Sequence, residues 1–216
     1  LVARIKTMID ATIESAGEKF LASNYNAQCA VEWVRSVLDV NLDAKNLDVH
    51  NLPAAENYVR NEAREEANNQ ITMTVGEYLD PDLDPKQWDI RGLARWAETR
   101  FDATLSQNQL QKMGPEEIAA LLTEAAEKKI ESVDLSPLER FMEADFGKNS
   151  VIAWAQQKFG VELKPEQFRA LSDRDASAHL RTAVQRAYKD REARYPIEWI
   201  LERTVLREDL APPNAA

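Results

Sequence analysis

Apolar residues recur with a helical period from the start of the chain. Between Ile5 and Phe20 they are spaced mostly three or four positions apart, as on one face of an amphipathic helix. Polar residues at 24–26 interrupt this pattern, and a second apolar stripe follows at 33–38. Pro53 stands where proline is favoured, in the first turn of a further helix. The first third of the chain is therefore predicted to form three successive helices.

Turn-forming residues divide the remainder of the chain into further helices. The stretch YLDPDLDPKQWD at 78–89 has two prolines and four aspartates, a composition typical of a loop. Gly, Pro and two Glu at 114–117 suit the start of a helix, because glutamate is favourable at the positive end of the helix dipole. Gly160 can end a helix in the left-handed conformation, and Ser172 and Asp175 have the spacing of a capping box. The predicted fold is all-α, with few or no strands.

A phrase that begins with tryptophan occurs three times in the chain. Each copy has apolar residues 5, 9 and 14 positions after the tryptophan, and further matches at 22, 26, 30 and 34, without gaps inside a copy. Any amphipathic helix produces the later matches, so the first four positions carry the specificity. They predict three homologous helix–turn–helix units with small packed cores, a ligand-binding cage being the alternative. The predicted packing positions are Trp33, Leu38, Leu42 and Leu47, then Trp96, Phe101, Leu105 and Leu110, then Trp154, Phe159, Leu163 and Phe168.

Charge and composition restrict the classes of partner. The 216 residues carry a net charge of −10 and no basic stripe, which disfavours nucleic-acid binding. No apolar run reaches the roughly 18 residues of a membrane span. Cys29 has no second cysteine to pair with, which fits a reducing compartment. The chain starts with Leu1 and not with methionine, so a fragment or a cleaved chain is expected. No signal-peptide pattern is seen.

No catalytic, cofactor-binding or metal site is predicted. Asp80, Asp82 and Asp84 alternate as in a calcium loop, but Pro85 and Arg91 replace the glycine and glutamate that such a loop needs. The two histidines have no cysteine or second histidine near them in sequence. Adjacent glutamates on a helix point about 100° apart and form no catalytic dyad. A phosphate-binding loop is absent from the sequence.

Two short phrases resemble the SecA preprotein translocase family. A proline-bearing acidic loop leads into Trp-Asp-hydrophobic-x-Gly-Leu, and a Glu-Arg-x-Val-Leu phrase lies near the end of the chain. The opening ARIKTMIDATIES is similar to the family's sequence after its long scaffold helix, so the three stretches follow the family order. The matching residues are Trp88, Asp89, Gly92 and Leu93 in the first phrase, and Glu202, Arg203, Val205 and Leu206 in the second.

The resemblance implies a non-catalytic part of an ATP-driven protein translocase. The chain would be the helical wing and adjoining scaffold, with the wing expanded from one unit to three. Its partners would be the rest of the motor, the SecY channel and unfolded preprotein, while ATP and Mg would bind elsewhere in the parent protein. The parent would be cytoplasmic and peripherally associated with the inner membrane.

On this interpretation the chain divides into five segments. A scaffold-adjacent helix (1–28) precedes three wing-like units (29–79, 80–149 and 150–195), and 196–216 returns to the scaffold. A stand-alone helical-repeat adaptor that binds a peptide or protein partner is the alternative, because stacked repeats serve either role.

Overall fold

The described part of the chain is built from helices. A computed structural model describes residues 2–80 and 82–192, with side chains described for 6–80 and 82–190. These residues form ten α-helices, one 3-10 helix (Pro85–Gln87) and no strand, so the all-α prediction is confirmed. The α-helices are α1 (Val2–Phe20), α2 (Tyr25–Leu38), α3 (Leu52–Tyr78), α4 (Ile90–Phe101), α5 (Gln107–Leu110), α6 (Pro115–Ser132), α7 (Leu138–Met142), α8 (Phe146–Phe159), α9 (Pro165–Arg169) and α10 (Asp173–Glu192).

Helix starts follow the capping residues that the sequence offers. Asn51 caps α3 with its side chain, and proline occupies the first turn as predicted. At the start of α6 the Glu117 carboxylate accepts a hydrogen bond from the Gly114 N–H at 2.9 Å. Before α10, the Ser172 hydroxyl accepts from the N–H of Asp175 at 3.2 Å and donates to the Asp175 carboxylate at 2.7 Å. The shorter aspartate thus bonds to the serine hydroxyl, whereas glutamate in a capping box reaches the backbone.

The chain divides into two compact units. The central unit is Val31–Leu138, and the terminal unit combines Leu1–Ala30 with Glu139–Ala216. The predicted five segments were defined by sequence repeats, whereas these two units are defined by packing. The division into five segments therefore stays a prediction.

An antiparallel helix pair forms the core of the central unit. The guanidinium of Arg60 on α3 donates to the carbonyls of Ile130 and Val133 at the end of α6, at 2.5 and 3.3 Å. The Thr123 hydroxyl, earlier on α6, donates to the Asn68 side chain, later on α3, at 3.4 Å. The buried stripes recur every four residues, as helical geometry requires. They consist of Ala55, Val59, Ala63, Ala67, Ile71 and Val75 on α3 and of Ile118, Leu122, Ala126 and Ile130 on α6.

Helices α1, α8 and α10 form the core of the terminal unit. Helix α1 runs antiparallel to α10, because the Gln185 side chain donates to the Asp10 carboxylate at 3.0 Å and Gly17 lies beside Ser177. Aromatic rings, most of them buried, fill the space between α1 and α8. Their contacts join Phe20 to Tyr25 and Trp154, at ring-centroid distances of 5.2 and 6.0 Å, and Tyr25 to Phe146 at 5.8 Å.

A left-handed residue follows the tryptophan helix in every copy of the repeated phrase. The residue six positions after the tryptophan is Asp39, Asp102 or Gly160, with φ of 54°, 54° and 62°. Glycine and aspartate tolerate this conformation better than most residues, and the predicted end of a helix at Gly160 is confirmed. We call this left-handed residue the corner of its copy. A longer helix follows each corner, directly in the first copy and after a short helix in the second and third copies. The homology of the three copies as units stays a prediction.

Candidate functional site

The phrase around Trp88 closes a loop onto itself in the central unit. The indole N–H of Trp88 donates to the carbonyl of Asp80 at 3.0 Å. The backbone N–H of Asp89 donates to the carbonyl of Tyr78 at 3.1 Å, which ties the end of the loop to the end of α3. The Asp89 carboxylate then accepts from the N–H of Gly92 at 2.8 Å and caps α4. We refer to residues 78–93 with these contacts as the clasp.

Glycine and leucine in the phrase have packing roles. A Cβ atom at Gly92 would collide with the ring of Tyr78 and the carboxylate of Asp89, so only glycine fits without rearrangement. Ile90 and Leu93, on the inner face of α4, are 5% and 0% exposed. The clasp therefore fixes where α4 starts and how α4 leaves the loop.

Replacing the capping carboxylate tests the clasp. Asp89→Ala should lower the free energy of unfolding by about 1 kcal/mol, because the N–H of Gly92 loses its partner at the start of α4. Asp89→Asn keeps an acceptor oxygen and should cost only a few tenths of a kcal/mol. Urea unfolding followed by circular dichroism measures both values. Equal losses in the two variants would show that the hydrogen bond from the Gly92 N–H does not account for the loss.

The predicted packing positions divide by burial. Trp33, Leu38, Trp96 and Leu105 are half-buried. Trp96 and Phe101 meet edge to face at 5.2 Å, and Trp154 and Phe159 do the same at 5.2 Å, so the second and third copies share this contact. The eight remaining positions are buried: Leu42, Leu47, Phe101, Leu110, Trp154, Phe159, Leu163 and Phe168.

Both aspartate corners carry ion pairs that sequence reasoning missed. Asp39 lies 3.1 Å from the guanidinium of Arg100, which also donates to the Gln70 side chain at 2.8 Å. Asp102 pairs with Lys129. The two aspartate side chains are 76% and 69% exposed, so each pair contributes at most about 1 kcal/mol. In two copies an aspartate lies six positions after the tryptophan. This pattern could have indicated the left-handed residues at these positions.

An open groove of about 390 Å³ lies beside the second aspartate corner, in the central unit. Its apolar lining comes from the segment after α4 and from one face of α6, and includes Leu105, Leu121 and Ala125. The charged side chains that line it are Asp102, Glu124, Lys128 and Lys129. The terminal unit has a second open groove of about 390 Å³ between α1 and the start of α10.

Two carboxyl groups in the described part of the chain have a pKa below the ordinary value. A hydrogen bond from the backbone N–H of Ser136 lowers the pKa of Asp134, and the side chain of Ser136 adds a second bond. A hydrogen bond from Lys128, together with its positive charge, lowers the pKa of Glu124. Both carboxyl groups are thus held ionised near neutral pH, the opposite of what a general acid requires.

Two aspartates of the acidic loop stabilise turns of its backbone. The Asp80 and Asp84 carboxylates each accept the backbone N–H two residues further on, at 2.9 Å. His50 is exposed. The ring of His179 packs on the ring of Phe168, with a centroid distance of 6.1 Å. Across residues 2–80 and 82–192, no three His, Cys, Asp or Glu side chains come together as a metal site would need.

Comparison with known proteins tests the resemblance to the SecA family. The chain is 32% identical over 192 residues to "Protein translocase subunit SecA 1" of Rhodopirellula baltica. The chain is SecA-like. The resemblance that the two phrases indicated is confirmed by an alignment covering 88% of the chain. No family model matches the chain, and no solved structure matches it.

The SecA-like chain spans only 15% of the length of that relative. Within the SecA-like sequence, the first phrase forms the clasp. The second phrase, Glu202, Arg203, Val205 and Leu206, lies outside the described residues. In the described part, no helix has the length and apolar character needed to span a membrane.

Proposed function

We propose that the chain is the helical wing and adjoining scaffold of a SecA-like, ATP-driven protein translocase, and that it acts without catalysing a reaction. The 32% identity over 192 residues to a protein translocase subunit carries the proposal. The sequence of this chain has no phosphate-binding loop, so ATP and Mg would be bound by other parts of the parent protein.

The proposed role is mechanical. Helix α3 has 27 residues and is about 40 Å long at 1.5 Å per residue. Its close packing on α6 makes the pair suited to transmit motion from a motor as a rigid lever. The wing would border the groove that admits unfolded preprotein, and the scaffold would brace the motor domains. The SecY channel would be a further partner. On this proposal the parent protein is cytoplasmic and binds peripherally to the inner membrane.

A segment exchange tests the proposal. In SecA 1 of Rhodopirellula baltica, the part that aligns with this chain is replaced by this chain, and preprotein transport into inverted membrane vesicles is measured. We expect the exchange to retain at least roughly a third of the transport rate, because 32% identity preserves a common fold and contact surfaces.

Two controls make the result decisive. One protein lacks the segment, and in the other an unrelated helical domain of similar length replaces it. If the exchanged protein folds and hydrolyses ATP but transports no better than the unrelated replacement, the proposed role is wrong. In that case the stand-alone adaptor, which predicts partner binding by the isolated chain, replaces it.

A further inference from the structure

The groove in the central unit leaves half-buried a position that is buried in the other two copies. Leu105 lies nine residues after its tryptophan and lines the groove together with Leu121 and Ala125. The leucines at the same place in the other copies, Leu42 and Leu163, are only 9% and 6% exposed. In the second copy, the surface that this leucine would help to close is open to solvent.

The groove lies on the unit that carries the net charge of the chain. Residues 31–138 contain 21 acidic and 11 basic side chains, a net charge of −10. The rest of the sequence contains 16 of each and is neutral overall. Helix α6, which forms one wall of the groove, has five glutamates and two lysines. A positively charged partner is therefore attracted to this unit and a negatively charged partner is repelled.

The two lysines that line the groove, Lys128 and Lys129, do not reverse the attraction of this unit for positive charge. Lys128 pairs with Glu124 at 2.6 Å, and Lys129 pairs with Asp102. Basic groups of a partner could take the place of either lysine on these carboxylates, since exposed ion pairs of this kind are weak.

We propose that this groove binds an extended polypeptide segment that inserts an apolar side chain against Leu105 and carries basic residues on both sides. A volume of about 390 Å³ is at the small end for a ligand pocket and fits one or two large side chains. The acidic unit supplies the preference for positive charge, and the apolar lining supplies the preference for leucine-like side chains. This inference rests on the groove and the charge distribution and does not require the translocase role.

Peptide binding to the 216-residue chain tests both preferences. Three fluorescent peptides are compared by anisotropy: one with Lys and Leu, one with Glu in place of Lys, and one with Ser in place of Leu. The Lys and Leu peptide should bind roughly tenfold more tightly than either of the others, and its affinity should fall as salt is added. Equal affinity for the Glu peptide would overturn the charge preference, and equal affinity for the Ser peptide would overturn the apolar one.

Two arginine variants of α6 locate the binding. Ala125→Arg places a charged side chain in the groove, while Ala120→Arg adds the same charge at an exposed position of the same helix outside it. The first should weaken binding of the Lys and Leu peptide about tenfold, and the second less than about threefold. Equal weakening would mean that the peptide is held by diffuse charge and not by the groove.

A second pair of variants tests the groove without adding a charge and without a large side chain at Ala125 that could disturb folding. Leu105→Ser removes the apolar contact in the groove, and Leu83→Ser makes the same change at a 45% exposed position elsewhere in the central unit. Binding should weaken about fivefold or more in the first variant only. Circular dichroism establishes that both variants are helical. Unchanged binding by a folded Leu105→Ser variant overturns the proposed site.

Discussion

Phe168→Ala is expected to lower the free energy of unfolding by about 3–5 kcal/mol. The Phe168 side chain is 1% exposed, and its ring packs on the ring of His179 at 6.1 Å. Helix α9 has only five residues, so its position depends on this buried side chain and not on its own helical hydrogen bonds. Removing the ring leaves a cavity that the surrounding helices can only partly fill.

Urea unfolding of the 216-residue chain, followed by circular dichroism, measures this loss. Leu110→Ala makes the matching change 14 residues after the second tryptophan, where the side chain is 0% exposed, and should cost about 2–5 kcal/mol. Leu83→Ala is the surface control, because that side chain is 45% exposed, and should change stability by less than about 0.5 kcal/mol. A loss below about 1 kcal/mol for Phe168→Ala would show that this position is not a core position.

Gly147→Ala should destabilise the terminal unit by about 2–3 kcal/mol. A Cβ atom at Gly147, in the first turn of α8, would overlap the backbone carbonyl oxygen of Phe20 at the end of α1. A side chain could rotate away from such a clash, but a backbone carbonyl can move only if its helix moves. The substitution should therefore separate α8 from α1 and loosen the aromatic contact between Phe20 and Trp154.

Gly76→Ala is the matched control for this substitution. Gly76 lies within α3, and no atom lies within 4 Å of the place where its Cβ would be. Alanine should therefore stabilise the helix by about 0.5–1 kcal/mol, because it restricts the unfolded chain and favours the helical state. Urea and thermal unfolding should thus give changes of opposite sign for the two substitutions. Stabilisation by both would mean that α8 and α1 are not in contact at Gly147.

Local features of the fold could be predicted because their causes are local. The period of apolar residues, Pro53 in a first turn and a glycine at 160 that accepts positive φ each depend on a few neighbouring residues. The clasp belongs partly to this class. Its composition marked a loop, whereas the bond from the Trp88 indole to the Asp80 carbonyl spans eight residues and required the structure.

Burial of the three tryptophans could not be predicted from their common phrase. Trp154 is 3% exposed because Phe20 of α1 packs against it, whereas Trp33 and Trp96 are half-buried. The same sequence position thus has a different environment, because burial depends on which other helix lies opposite. Periodicity within a copy contains no information about that partner.

The sequence by itself determined the longer helices, the helix ends at Gly114, Gly160 and Ser172, the loop at 78–89 and the resemblance to SecA, because each rests on residues close together in the chain. Only the tertiary structure decided that α3 pairs antiparallel with α6 and that α1 packs on α10. It also decided that the groove beside Leu105 is open within the acidic unit. These features come from contacts between residues as far as 175 positions apart, which depend on how whole helices fit together.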